Sequence, residues 1–299
     1  MGLNIKETIQ FLKDASSIKK LTKGFSYDEK YVIDNRYLLR IFPSEELHKR
    51  KKEFAILNEL SSYSNCIPKG KAFDTLPMTN KAYMVLTFLP GEDGGAILPK
   101  LSKGESYSIG YSAGIELKKL HSLSAPEDYP SWFTVKKKKS DNYLRGLQKL
   151  DMDGKIVALL ENYIWDHEKL MQGRPNRFQH DDIHPSNILI DNKRFSGIID
   201  FQQMDWGDPI NDLQKLGFFS KRVSIEFTRG MIDGYHDGEK ITESFWQLYT
   251  LYSAIHIVSA LVWANKREHS HFKQILEYSL EVIEDHDNFC RLVPKWYQQ

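Results

Sequence analysis

The stretch QHDDIHPSNILI, Gln179 to Ile190, constrains the fold most. It packs two histidines, two aspartates and an asparagine into a dozen residues and then turns purely apolar. A second apolar run, SGIID, ends at Asp200, and the turn DNKRF lies between the two. ILID and SGII therefore read as a short hairpin, and its two ends can deliver oxygen atoms to one point. Such a cluster admits three readings: a metal cage, a phosphate-transfer site, or a polar turn before a buried strand.

Spacing separates them. His180 and His184 stand four residues apart and would share a face on a helix, as in a zinc peptidase. Pro185 argues against that helix, because proline disfavours helical geometry at His184 and breaks any helix there. The glutamate expected after the first histidine is Asp181, and a histidine–aspartate hydrolase would need further ligands that the sequence does not offer. Phosphate transfer asks for an aspartate that orients or deprotonates a hydroxyl, an asparagine five residues later, and a second aspartate beyond a strand pair. Asp182, Asn187 and Asp200 meet that pattern, with Asp200 thirteen residues after Asn187. All three offer oxygen, which a hard ion such as Mg2+ prefers.

A chain of 299 residues can bury one large core or two smaller ones. Before Leu89 it reads mainly as strands: SIKKLTK, KYVIDN and RYLLRIF, with Asp34-Asn35 as a hairpin turn between the last two, and KAYMVLTFL. One helix interrupts them, SEELHKRKKEFAILNELSS, with Ser44 as its expected N-cap and Leu47, Phe54, Leu57 and Leu60 on one face. Beyond LPGEDGG the pattern becomes helical, in ESYSIGYSAGIELKKLHSL, FWQLYTLYSAIHIVSALVWA and FKQILEYSLEVIEDH. The expectation is an α+β fold of two lobes: residues 1–89 an antiparallel sheet with one helix, 90–95 a polar hinge, and 96–299 mainly helical. A cleft between such lobes is the usual place for a ligand.

Composition narrows the partners. With 41% hydrophobic and 27% charged residues and a net charge of +1, the chain gives no electrostatic reason to expect nucleic acid or an anionic membrane. Cys66 and Cys290 are far apart and lack metal-ligand spacing, which fits a reducing cytoplasm. The N-terminal MGLNIKETIQFLKD has no apolar core like that of a signal peptide, and Ala254 to Ala264, too short to span a bilayer, reads as a buried helix. The run Lys136 to Lys139 reads as a solvated loop, and the aromatic runs of the last third as core.

On HDDIHPSN and IIDF the chain resembles the aminoglycoside phosphotransferase family, small-molecule relatives of protein kinases whose signature is H-x-D-x-x-x-x-N followed by a strand-terminal aspartate. The resemblance implies a bilobal kinase-like fold and transfer of a nucleotide's γ-phosphate to a hydroxyl, with ATP or GTP as donor and Mg2+ as metal. It makes Asp182 the catalytic acid–base residue, Asn187 and Asp200 the metal ligands, and His180 and Asp212 supports of the catalytic loop. Arg40 in YLLRIF matches the strand residue that holds the α- and β-phosphates, and Glu53 the helix acid that pairs with it. Thr87 and Leu89 in LTFLPG match the linker beside the nucleobase. The loop TKGFSYDEKY has the single glycine Gly24, so phosphate contact there rests on backbone amides and Ser26. FQ follows Asp200 where protein kinases have FG, which favours a small-molecule kinase.

A polycationic aminoglycoside calls for carboxylates on the large-lobe side of the cleft. Asp205 and Asp208, just past Asp200, are the first candidates, and Glu281 to Asp287 reads more as a solvated helix face. The expected acceptor is an antibiotic-type amino sugar. The alternatives are a macrolide, a metabolic acceptor such as choline, a sugar or an amino-acid-like alcohol, and a catalytically dead nucleotide-binding pseudokinase. The last would be marked by loss of Asp182, Asn187 or Asp200, and all three are present.

Overall fold

The computed structural model describes residues 5–22, 28–267 and 269–298. Its first part is a five-stranded antiparallel sheet in the order β1-β2-β3-β5-β4, from β1 (Ile18–Leu21), β2 (Glu29–Ile33), β3 (Tyr37–Pro43), β4 (Gly70–Thr75) and β5 (Lys81–Thr87). Asp34 and Asn35, both at φ 52°, make the turn expected between β2 and β3. Their short polar side chains tolerate this left-handed backbone better than other residues do. β4 was not expected. GKAFDT lacks a clean alternation because it is an edge strand, with few buried side chains.

Helix α1 (Leu47–Leu60) follows β3, but Ser44 does not cap it. Pro43 holds the entering chain extended, a 3-10 turn spans Ser44–Glu46, and the Ser44 amide bonds to the Asn80 carbonyl. The buried stripe of α1 is polar at one end, with Arg50 and Glu53, and apolar at the other, with Leu57 and Leu60.

The remainder is mostly helical: α2 (Lys103–Leu120), α3 (Trp132–Leu147), α4 (Gly154–His167), α5 (Ile225–His236), α6 (Glu243–Ala264) and α7 (His269–Asp285). Ser102 and Glu105 form a reciprocal capping box at the start of α2. Lys136 to Lys139 lie on α3, correcting the loop expectation; Ser131 caps that helix, and Trp132, Ser140 and Leu144 are buried on its inner face. α6 passes through the core and buries Phe245, Trp246, Tyr249 and Tyr252, as expected of the aromatic runs. By length and composition α6 could cross a membrane, yet 72% of its most apolar window is buried inside the protein.

Two features of this helical part position the site. α2 and α5 cross at glycines: a Cβ on Gly114 would lie 2.3 Å from the Met231 carbonyl oxygen, and one on Gly234 1.9 Å from that of Tyr111. The two backbones touch because no side chain separates them. The second feature is the hairpin of β8 (Ile188–Asp191) and β9 (Arg194–Ile198), whose turn residues Asn192 and Lys193 are left-handed. β6 (Glu92–Asp93) pairs with β8, so the segment after the first sheet is stitched to the hairpin. Ile198 N–H also donates to the Cys66 carbonyl at 2.8 Å. A further strand pair, β7 (Arg177–Gln179) and β10 (Asp205–Gly207), brackets the site residues.

Candidate active site

The loop from His180 to Asn187 is fixed from behind. Asp212, 2% exposed, accepts the amides of His180 and Asp181, each at 2.6 Å. His121 at the end of α2 meets the same carboxylate at 3.0 Å through Nε2, and its Nδ1 lies 2.8 Å from the Tyr235 hydroxyl on α5. The close crossing of α2 and α5 thus places Tyr235 to hold His121, which in turn holds Asp212. Burial raises the Asp212 carboxyl, but the His121 bond and the neighbouring charges outweigh it and hold the group below its ordinary value. The anion suits two amide donors.

His180 ties the loop to the end of β9. Its Nε2 contacts the Ile199 carbonyl at 2.9 Å, which as an acceptor requires the proton on Nε2. Nδ1 is then free to accept the Asp182 amide at 3.3 Å. Burial lowers the His180 pKa, so the ring is neutral.

Asp182 is oriented from both sides. Lys215 Nζ donates to Asp182 Oδ1 at 2.8 Å and to the Asp181 carbonyl at 2.6 Å. Asn187 Nδ2 donates to the Asp182 carbonyl at 2.8 Å and to Oδ2 at 3.3 Å. Burial raises the carboxyl, but His184 and Lys215 more than offset it, and Asp182 is held ionised well below the usual carboxylate range.

Asn187 and Asp200 sit at the same end of the hairpin, where Ile188 pairs with Ile198 and the Ile199 amide donates to the Asn187 carbonyl at 2.9 Å. Asn187 spends its amide nitrogen on Asp182 and His184, and its Oδ1 has no partner among the described residues. Asp200 is left-handed at φ 67°, exposed, and without a hydrogen bond or ion pair among the described residues. An amide oxygen and a carboxylate at one hairpin end, both without partners among the described residues, fit a magnesium ion completed by phosphate and water.

On the sheet side, Arg40 is 5% exposed and donates to Asp28 through Nε (2.8 Å) and Nη2 (2.5 Å) and to Glu53 through Nη1 (2.8 Å). Arg50 completes the ring with bonds to Asp28 (2.8 Å) and Glu53 (3.1 Å). Thr87 is committed to Lys69 through both its amide and its hydroxyl. The Leu89 backbone makes no hydrogen bond among the described residues. Ser26 and Gly24 lie outside the described residues.

The acidic candidates for acceptor binding need correction. Asp208 is fully buried; it caps the turn that carries Asp212, accepts Arg174 at 2.6 Å and Tyr252 at 2.7 Å, and cannot face a ligand. Asp205 is already held by the Tyr129 hydroxyl (2.7 Å) and Lys139 (2.9 Å). Glu281 and Asp285 on α7 pair with Lys221 and Arg222. Lys136 reaches Asn211 Oδ1 at 2.7 Å, and burial lowers its pKa to about 8. The surface around Asp205 and Asn211 therefore carries lysines as well as acids. Asp28, Arg50, His121 and Lys215 escape a reading of the sequence, since each has a partner far along the chain, although Arg50 and Lys215 each stand three residues from a motif residue, Glu53 and Asp212.

A sheet lobe joined to a helical lobe, with two aspartates and an asparagine gathered at the end of one hairpin, defines a kinase-like phosphotransferase. The ADP-bound aminoglycoside phosphotransferase APH(2'')-Ib shares this fold with a TM-score of 0.64 at 17% identity, over 93% of this chain and 99% of that one. The GDP complex of wild-type aminoglycoside 2'-phosphotransferase-IIIa gives 0.68 at 17% identity, over 90% and 92%. A thermostable APH(4)-Ia mutant with ADP and hygromycin B gives 0.64 at 16%, over 93% and 97%. The family model for the phosphotransferase enzyme family (APH) matches residues 17–247, and the chain belongs to that family. It is a phosphotransferase with an alcohol group as acceptor.

Proposed function

We propose that the protein transfers the γ-phosphate of ATP or GTP to a hydroxyl of an antibiotic-type amino sugar. The observation that carries the chemistry is the convergence of Asp182, Asn187 and Asp200 on a loop pinned by Asp212. In the reaction the acceptor oxygen bonds to the γ-phosphorus, the bond from that phosphorus to the β–γ bridging oxygen breaks, and the nucleoside diphosphate leaves. Asp182 aims the hydroxyl and takes up its proton as the new bond forms. It is a weak base, because its partners hold it ionised, so its main work is orientation. Mg2+, held by Asn187 and Asp200, would neutralise charge on the phosphate oxygens. The division at 90–95 into a nucleotide lobe and a catalytic lobe belongs to this proposal, as does a reducing cytoplasm, which suits the free thiols Cys66 and Cys290.

The amino-sugar acceptor is supported by the relatives of this fold, among them complexes with gentamicin and with kanamycin. One observation favours a second reading, an acceptor with few or no ammonium groups such as a macrolide, a sugar or another alcohol: Asp208 is buried and Asp205 is already paired with Lys139. The experiment is a screen for ADP or GDP release from ATP or GTP across aminoglycosides, macrolides, choline and sugars, on the parent and Asp182→Ala. Turnover with an aminoglycoside, lost by about 10²-fold or more in Asp182→Ala, is expected. Turnover confined to uncharged acceptors selects the second reading, and a variant within about threefold of the parent sinks the role of Asp182.

A further inference from the structure

The ring of Arg40, Asp28, Arg50 and Glu53 contains two guanidinium groups and two carboxylates, so its formal charge is zero. A nucleotide triphosphate approaching this face needs a cation that is not already spent. Lys30 stands directly across from Arg40 in the β2–β3 ladder, and residues opposite one another in a ladder leave the same face of the sheet. Its ammonium is half-buried and senses Arg40 and Arg50 as like charges and Asp200 and Asp28 as opposite ones. That set of neighbours puts it on the cleft face, within electrostatic reach of both the guanidinium ring and the carboxylate at the end of β9. The Lys30 ammonium has no hydrogen bond or ion pair among the described residues. Burial, and then Arg40, lower its pKa. A partly desolvated cation without a partner gains most when an anion arrives.

We infer that Lys30 is a phosphate-binding residue, the cation that meets the β- or γ-phosphate of the nucleotide while Asp200 faces the metal. The inference rests on reading this cleft as a nucleotide site, and the test separates the two. It is calorimetric titration of the full chain, as parent, Lys30→Met and Lys30→Arg, with Mg2+·AMP-PNP, Mg2+·GMP-PNP, ADP, GDP and the two nucleosides. Lys30→Met should weaken the preferred triphosphate analogue about tenfold, with less effect on the diphosphate and under about twofold on the nucleoside, while Lys30→Arg stays within about threefold of the parent. Triphosphate affinity in Lys30→Met within about twofold of the parent overturns the inference. So does a loss equal for nucleoside and triphosphate, which would mark a purely structural role. A parent that binds neither analogue brings down the nucleotide reading and this inference with it. A parent that binds one keeps that reading whatever Lys30→Met does.

Discussion

Lys215 grips the catalytic loop from outside it, one helical turn after Asp212, so a single short segment holds the loop amides with one side chain and the Asp182 carboxylate with the other. With an acceptor that turns over, Lys215→Met should lower kcat about 10²-fold with nucleotide KM changed under about threefold, because the carboxylate loses its aim and the phosphate site keeps its shape. Lys215→Arg should recover part of the loss. Combining Lys215→Met with Asp182→Asn should cost little more than Asp182→Asn alone, and fully additive losses would show that Lys215 does not act through Asp182. Asp181 offers a test in pH. Burial lifts its carboxyl to about 6 against the pull of Lys215. The folded-state value lies above the unfolded one, so the parent loses stability as pH rises from about 4 through about 6. Asp181→Asn removes that charge and keeps a side chain suited to φ 56°. Its stability advantage should grow from near zero at about pH 4 to about 2 kcal/mol above about pH 7. Denaturant melts across that range check this, and a pH-independent difference would refute it. At this scale the sequence was legible where chemistry demands fixed spacing in one stretch, as in His180, Asp182, Asn187 and Asp200. Asp208 shows the converse, since nearness to Asp200 in sequence suggests a ligand contact and its real partners, Arg174 and Tyr252, are invisible from one sequence.

The α2–α5 crossing gives the element-scale prediction. Gly234→Ala puts a methyl group into the Tyr111 backbone, so the helices must separate, and a cost of about 3 kcal/mol in urea unfolding is expected. Gly104→Ala, with nothing within 4 Å of the new Cβ and a place in the first turn of α2, should be neutral or stabilising by up to about 1 kcal/mol. Equal effects at the two positions would contradict the close approach. Since α2 carries His121 and α5 carries Tyr235, Gly234→Ala should also reduce turnover under conditions where it remains folded. The helices themselves were readable from their apolar spacing. Their crossing was not, because GYSAG and GMIDG show their meaning only when the two segments are placed against each other. β4 and the capping of α1 escaped for local reasons, an edge strand with a weak pattern and a proline that displaced the expected Ser44 cap.

At the scale of the molecule, the change from strand rhythm to helix rhythm near Leu89 was enough to give the fold class, whereas the surface beside the catalytic loop depends on α3 lying against Asp205 and Asn211, residues far from it in the chain. That contact pairs Asp205 with Lys139 and leaves Lys136 half-buried beside Asn211. If the acceptor is a polycation, its KM should climb as ionic strength rises from about 0.05 to 0.5 M at saturating Mg2+·nucleotide, and Lys139→Met, which removes the cation paired with Asp205 and leaves the Tyr129 bond, should lower it. A flat salt series would favour the uncharged acceptor. The grip on the loop comes from Asp212, His121, Tyr235 and Lys215, none of them on α3, while Lys136 and Lys139 make no hydrogen bond to residues 180–187. Replacement of Lys136 or Lys139 would therefore change the surface beside the loop while leaving intact the bonds that aim Asp182, so the two can vary independently.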